Sequence, residues 1–253
     1  MRLFFLSDLH LSTASCRKAQ ALVDFLQKTP QRGDTVVLGG DVFDLFVGAR
    51  RVFLRKFSLI LNAMKEAESR GVVLYYLEGN HDFHLSRVFR HHPNIVVKAR
   101  EIELRLHGRR IYICHGDEID REDRGYLLLR AATRSRLFVA ATSALPDWVY
   151  AAVGSWSSRT SRKYTDRKRA DGARSDRLRD LFRSYAAAKV EQGASLVLIG
   201  HSHVPDRVDF RFEGRAPGTY VNLGYSEDDL LLAEYDTASD RAEVKSYRAE
   251  AAI

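Results

Sequence analysis

Five short stretches of the chain carry side chains that bind metals, phosphates or protons. They are Asp8-Leu9-His10, Gly39-Gly40-Asp41 with Asp44 beyond, Gly79-Asn80-His81-Asp82, His115-Gly116-Asp117 and Gly200-His201-Ser202-His203. Two aspartates, an asparagine oxygen and four histidines make a mixed oxygen and imidazole set without thiolate. Such a set suits manganese, iron or zinc better than calcium or a structural zinc site. Seven donors are too many for one tetrahedral ion. They suit two ions sharing a carboxylate, roughly 3.5–4 Å apart, which clamp the entering and departing oxygens of a phosphoryl displacement. Each piece alone says little: an Asp-x-His is usually a turn, His115 alone reads as a core residue, and Asp44 or Asp82 alone reads as a helix cap. The five together carry the reading because each follows an apolar run. His84, His91, His92 and His107 lack that context and are read as ordinary histidines.

The elements that must position these residues are short and β-rich: 3–6, 35–38, 72–77, 111–114 and 195–199, with 102–106 and 220–223 beside them. Their lengths suit strands. Helical spacing at Ala19, Leu22, Val23 and Leu26, then at Phe53, Phe57, Ile60, Leu61 and Met64, separates the early runs. Strand-helix-strand order predicts a layered α/β domain with parallel pairing in its first half. In such a sheet the carboxyl ends of the strands share one edge, so ligands distant in sequence converge. Gly108-Arg109 predicts a hairpin turn and therefore a mixed sheet, and 207–213, 220–223, 230–235 and 242–248 read as a mostly antiparallel finish. Residues 126–168 mix apolar and basic residues with helical spacing on both sides of Pro146. They read as a helical cap inserted within a single domain spanning 1–253.

At 253 residues and 45% apolar composition the chain can bury a sizeable core. The apolar start, four residues long before Asp8, is too short for a signal peptide or a membrane span, which predicts an intracellular protein. Cys16 and Cys114 form no CxxC pattern, which argues against a disulfide framework or zinc knuckle. The net charge of +7 is concentrated: residues 130–179 hold twelve Lys or Arg against four Asp. A solvated helical face, nucleic acid, anionic lipid or a phosphorylated substrate each fits a basic run.

Taken together, DLH, GGDVFD, GNHD, HGD and GHSH resemble the calcineurin-like metallophosphoesterases over residues 8–203. The resemblance implies two packed, mixed β-sheets flanked by helices. It implies that Asp8, His10, Asp41 and His203 hold one divalent cation, that Asp41, Asn80, His115 and His201 hold the other, and that Asp41 bridges them. A shared water would then give hydroxide near neutral pH and attack phosphorus in line, with no side-chain nucleophile. His81 would protonate a leaving oxygen or contact the phosphate, and Asp82 would orient His81.

A narrower resemblance rests on LFFLSDLHLS, GGDVFDLF, GNHDF and HGDEIDREDRGYLLLRAATRS. These look like the UDP-2,3-diacylglucosamine pyrophosphatases of lipid A synthesis, which cleave a nucleotide-lipid pyrophosphate with manganese. That resemblance implies UMP and the acylated sugar phosphate as products, a cap over the acyl chains, and a substrate contact at Asp123. It places Ser161, Thr165 and Lys168 at the positions of a serine, an asparagine and a lysine of the cap. Asn80 and His201 would also face substrate. It further implies a cytoplasmic protein peripheral on the inner membrane, meeting an anionic inner-leaflet surface through the apolar cap residues beside Arg130, Arg134 and Arg136, with no nucleic acid and no obligate protein partner. His81 departs from that group, whose best-characterised members carry arginine after the asparagine. A bidentate guanidinium and an imidazole hold phosphate differently, so a related ester, nucleotide or lipid is the second expectation. A nucleic-acid phosphodiesterase is the third, since leucine runs rather than interleaved aromatics stand beside the arginines.

Overall fold

The computed structural model describes residues 1–135, 137–138, 145–146, 149–150 and 172–248. The expectations for Ser161, Thr165, Lys168 and much of the cap lie outside the described residues. In chain order the elements are β1 (Arg2–Leu6), α1 (Arg17–Lys28), β2 (Thr35–Leu38), β3 (Phe46–Val47), α2 (Arg51–Lys56), α3 (Ser58–Ser69), β4 (Val73–Leu77) and β5 (Asp82–Phe83). Then follow β6 (Ile95–Lys98), β7 (Glu101–Leu106), β8 (Arg109–Cys114), α4 (Arg124–Thr133), α5 (Gly172–Glu191), β9 (Leu196–Ile199), β10 (Asp206–Phe210), β11 (Gly218–Asn222), β12 (Leu230–Asp236) and β13 (Arg241–Tyr247).

Two mixed sheets result, ordered β13-β12-β1-β2-β4-β6 and β10-β11-β9-β8-β7. In the first sheet β1, β2, β4 and β6 run parallel out to the β6 edge, with β12 and β13 added antiparallel at the other edge; in the second β8, β9 and β11 run parallel, with antiparallel β7 and β10 at its edges. Strand alternation explains the layering. Leu3 and Phe5 of β1 join Val37 and Leu77 against Ile111, Ile113, Leu196 and Leu198 of the second sheet, while Phe4 and Leu6 face Leu22, Phe25 and Leu26 of α1. Both faces of β1 are buried, so its sequence is a continuous apolar run rather than an alternating one. On the far side, Tyr112, Cys114, Val197 and Ile199 pack against Phe182, Ala186 and Val190 of α5. The molecule is therefore the expected four-layer α/β fold, with helices outside two packed mixed sheets.

Four local details differ from the sequence reading. The helical run through Phe53 to Met64 is two helices, broken at Phe57, whose φ of −111° and ψ of 19° leave the helical region. Phe57 is fully buried beside Phe43 and Phe46, so its apolar spacing continues through the break. The hairpin turn is His107-Gly108, one residue earlier than Gly108-Arg109, because Leu106 pairs with Arg109 and both turn residues have positive φ. The strand β6 and the helix α5 were not expected. β6 covers only four residues, and α5 buries just Phe182, Ala186 and Val190, a stripe too thin to register as amphipathic.

A candidate metal centre at the carboxyl edge of both sheets

Each strand that precedes a candidate fragment ends at the same edge. The loops after β1 and β2 are stitched together by backbone bonds from Asp8 N to Gly40 O (3.0 Å) and from His10 N to Asp41 O (2.9 Å), and the loops after β8 and β9 by Gly200 N to His115 O (3.0 Å). The loop after β4 joins through the short parallel pair of β3 with β5 and the bond from Phe46 N to His81 O (2.9 Å). All seven expected donors meet there. His203 Nε2 lies 3.1 Å from His10 Nε2 and 3.4 Å from Asp8 Oδ1. Asn80 Oδ1 lies 3.3 Å from His115 Nε2 and 3.1 Å from His201 Nδ1. Asp41 stands between the two groups, with Oδ2 at 3.6 Å from His115 Nε2 and 3.9 Å from His10 Nε2.

The backbone is forced into this arrangement. Asp8, His10, Asp41, His201 and His203 all have φ between 47° and 65°, a left-handed conformation that costs an L-residue with a Cβ about 1–2 kcal/mol. Left-handed residues cluster where function over-determines the backbone. Two glycines allow the close approach: a Cβ on Gly79 would sit 2.2 Å from Asp41 Oδ1, and one on Gly200 would sit 2.5 Å from Asp8 Oδ2.

The donor set fits divalent cations. Burial drives the pKa of His10 down to about 3, and burial together with the neighbouring His115 drives that of His201 down to about 4, so both rings are neutral with lone pairs available. Burial raises Asp41, but His115 and His81 outweigh it and hold the carboxyl well below its ordinary range; Asp8 is also lowered, burial being outweighed by its bond with His203 together with the charges of His115 and His203. His115 moves the other way, to about 10, since the pull of Asp41 overcomes burial. A cation at its Nε2 would replace that proton. His115 Nδ1 donates to Gly39 O at 2.9 Å, which aims Nε2 at Asp41 and Asn80. The donors also fall into three overlapping His and Asp groups, Asp8 with His10 and His203, His10 with Asp41 and His81, and Asp41 with His115 and His201, each within 4.8 Å.

His81 presents its ring to the centre, 5.1 Å from the ring of His10. What orients it differs from the expectation. His81 Nδ1 donates to the Asp44 carbonyl at 2.9 Å, whereas the Asp82 carboxylate turns away. Asp82 accepts from the backbone N–H of Asp41, Val42, Phe43 and Gly79 and from the Tyr76 hydroxyl, at 2.6–3.4 Å. Its neighbour in sequence is therefore not its partner in space: Asp82 faces the buried side of β5 and braces the Asp41 loop.

A cleft of about 370 Å³ opens over the centre, walled by Tyr126 and Leu129 of α4 and by Arg174, Leu178 and Phe182 of α5. Asp123 lies in this wall, its carboxylate capping α4 through Tyr126 N at 3.0 Å. Arg130 and Arg134, expected at a bilayer surface, instead turn inward. Arg130 pairs with Asp117 (2.6 Å) and Glu118 (2.8 Å), and Arg134 with Glu78 (3.0 Å), because buried carboxylates there need partners. Asp117, Glu78 and Tyr225, which stacks on His203 at 5.4 Å and meets His10 at 5.8 Å, received no role in the sequence reading. For Asp117 the signal was its place in HGD; for Tyr225 the sequence offers none.

The sequence pattern of the calcineurin-like phosphoesterase family matches residues 1–205. The UDP-2,3-diacylglucosamine hydrolase of Klebsiella pneumoniae subsp. pneumoniae is 28% identical over 243 residues, covering 93% of this chain and 96% of that protein. The UDP-2,3-diacylglucosamine hydrolase of Psychromonas ingrahamii is 24% identical over 237 residues, covering 90% and 93%. With the family pattern reaching across both sheets and every donor of the centre, the chain belongs to the calcineurin-like phosphoesterases.

Proposed function

We propose that this protein hydrolyses the pyrophosphate of UDP-2,3-diacylglucosamine to UMP and 2,3-diacylglucosamine 1-phosphate, using two divalent cations, manganese foremost. The observation that supports this most directly is the cleft itself: donors for two cations form its floor, while Leu129, Leu178 and Phe182 make an apolar wall above them. A charged headgroup and an acyl chain need that pairing in one cleft. Asp8, His10 and His203 would hold one cation, Asn80, His115 and His201 the other, and Asp41 both. Bound there, such a pair supplies a nucleophile from water and offsets the charge of the phosphate oxygens. His81, fixed through Nδ1 on the Asp44 carbonyl, is left with Nε2 for a phosphate oxygen or for the proton of the leaving group. Asp123 and the cap residues Ser161, Thr165 and Lys168 would contact the substrate beyond the phosphates.

The test is UMP release from UDP-2,3-diacylglucosamine with Mn2+, set beside hydrolysis of a soluble phosphodiester. Turnover of the lipid nucleotide at least a hundredfold faster supports the reading. A preference for the soluble diester would favour the second reading, a related ester, which the single-point attachment of His81 supports. Preferential cleavage of DNA or RNA would favour the third.

Peripheral binding to the cytoplasmic face of the inner membrane belongs to the same reading. Among the described residues no helix is long and apolar enough to cross a membrane. Leu128, Leu129 and Leu137 are 74%, 61% and 82% exposed, beside the exposed Arg121 and Arg124. With Arg130 and Arg134 paired internally, these leucines and the two outer arginines are what this face offers among the described residues. Leu128→Ser with Leu137→Ser is expected to lower cosedimentation with anionic phosphatidylglycerol vesicles about tenfold. Unchanged cosedimentation would count against this face.

A further inference from the structure

The helix α4 is tied to the body at the two loops that carry Asn80 and His115. From α4, Tyr126 Oη and Arg130 Nε converge on Asp117 Oδ2 at 2.7 and 2.6 Å, two residues after His115. One turn on, Arg134 Nη1 meets Glu78 Oε2 at 3.0 Å, and Nη2 donates to the carbonyls of Glu78 (3.3 Å) and Gly79 (2.9 Å). Glu78 Oε1 accepts from Leu85 N at 2.8 Å, so one carboxylate spans the loop that holds Asn80, His81 and Asp82. His84 closes the tie from the other side, its Nε2 donating to the Thr133 carbonyl at 3.0 Å. The Arg134 and Glu78 side chains are 14% and 8% exposed.

The Gly79 carbonyl belongs to the peptide whose nitrogen is that of Asn80. A guanidinium on that oxygen fixes the peptide plane, and with it the direction from which the Asn80 side chain starts. On its other side the loop has no slack, since Gly79 already abuts Asp41. Resting on the reading that Asn80, His115 and His201 bind a cation, we propose that Arg134 is a positioning residue for that site, linking the seat of α4 to cation affinity there. Coupling of this kind is reciprocal, so cation binding also tightens α4 against the loop.

Mn2+ titration of the full chain by calorimetry, with paramagnetic resonance of the bound metal, tests this. The wild type should bind two Mn2+ and show a spin-coupled pair. Arg134→Met should keep one site at wild-type affinity and weaken the other by about 10–100-fold, the usual loss when the support of a ligand is removed. It should lose the coupled signal at metal concentrations that saturate the wild type. Tyr126→Phe removes one bond to Asp117 without changing charge, and should weaken the same site by a few-fold; it carries the test if Arg134→Met fails to fold. Two sites of wild-type affinity in the variants, or equal weakening of both sites, would overturn the proposal. A wild type that binds no Mn2+ pair would instead overturn the assignment of the site.

Discussion

Asp41→Asn is expected to lower hydrolysis by about a thousandfold or more while leaving the fold intact. Asp41 is 1% exposed and stands between the two donor groups, 3.6 Å from His115 Nε2 and 3.9 Å from His10 Nε2, while Oδ1 accepts from His81 N at 2.9 Å. Asparagine keeps the shape and that acceptor, so the loop has no steric reason to move. What it removes is the one negative charge that both cation positions would share. Loss of several kcal/mol of electrostatic stabilisation corresponds to about three powers of ten in rate. Near neutral pH the apo protein should melt somewhat lower, because His115 and His81 outweigh burial and hold the Asp41 carboxyl well below its ordinary range, so its charge stabilises the folded state and Asn forfeits that contribution. UMP release, Mn2+ titration and a thermal melt on the same sample check all three points. A variant that binds two Mn2+ normally and hydrolyses within tenfold of wild type would remove Asp41 from the centre of the mechanism.

The convergence of Asp8, His10, Asp41, Asn80, His115, His201 and His203 was legible in the sequence because each is local to the end of an apolar strand, and topology brings strand ends together. The run 3–6 announces both a buried strand and the place of Asp8, and β1 follows it to within one residue. What the sequence could not show was direction. Asp82 follows His81, yet His81 lies just before β5 with its ring on the Asp44 carbonyl, while Asp82 opens β5 and accepts from the Asp41, Val42 and Gly79 N–H groups, so the two side chains share no partner. Arg130 and Arg134 read as a basic surface because their acceptors, Asp117 and Glu78, lie 13 and 56 residues away and on other elements. A charge run in a sequence does not reveal which charges are turned inward. The helix α5, which supplies half of the cleft wall, was missed because its surface is mostly solvated and only its thin stripe meets the second sheet.

Asp82→Ala is expected to cost about 4 kcal/mol of stability or more, and thus to separate bracing from catalysis. The carboxylate is fully buried and accepts from Gly79 N (2.9 Å), Asp41 N (3.0 Å), Val42 N (2.7 Å) and Tyr76 Oη (2.6 Å). Removing it strands these four and Phe43 N, which reaches it at 3.4 Å, and each unsatisfied group costs about 1–3 kcal/mol. That sum rivals the roughly 5–15 kcal/mol by which a domain is stable at all. For a chain of this length the midpoint of thermal unfolding should fall by about 10 °C or more. Asp82→Asn retains one acceptor oxygen but turns an amide toward N–H groups, so it should fall between alanine and wild type. His81→Ala gives the contrast: its ring makes one bond, to the Asp44 carbonyl, and its loss should leave the melt within a few degrees while hydrolysis drops. If Asp82→Asn melted with the wild type and lost only activity, with a pH profile altered like that of His81→Ala, Asp82 would belong to a proton relay. Its five donors, four of them main-chain, instead assign it to holding the Asp41 and Asn80 loops in register.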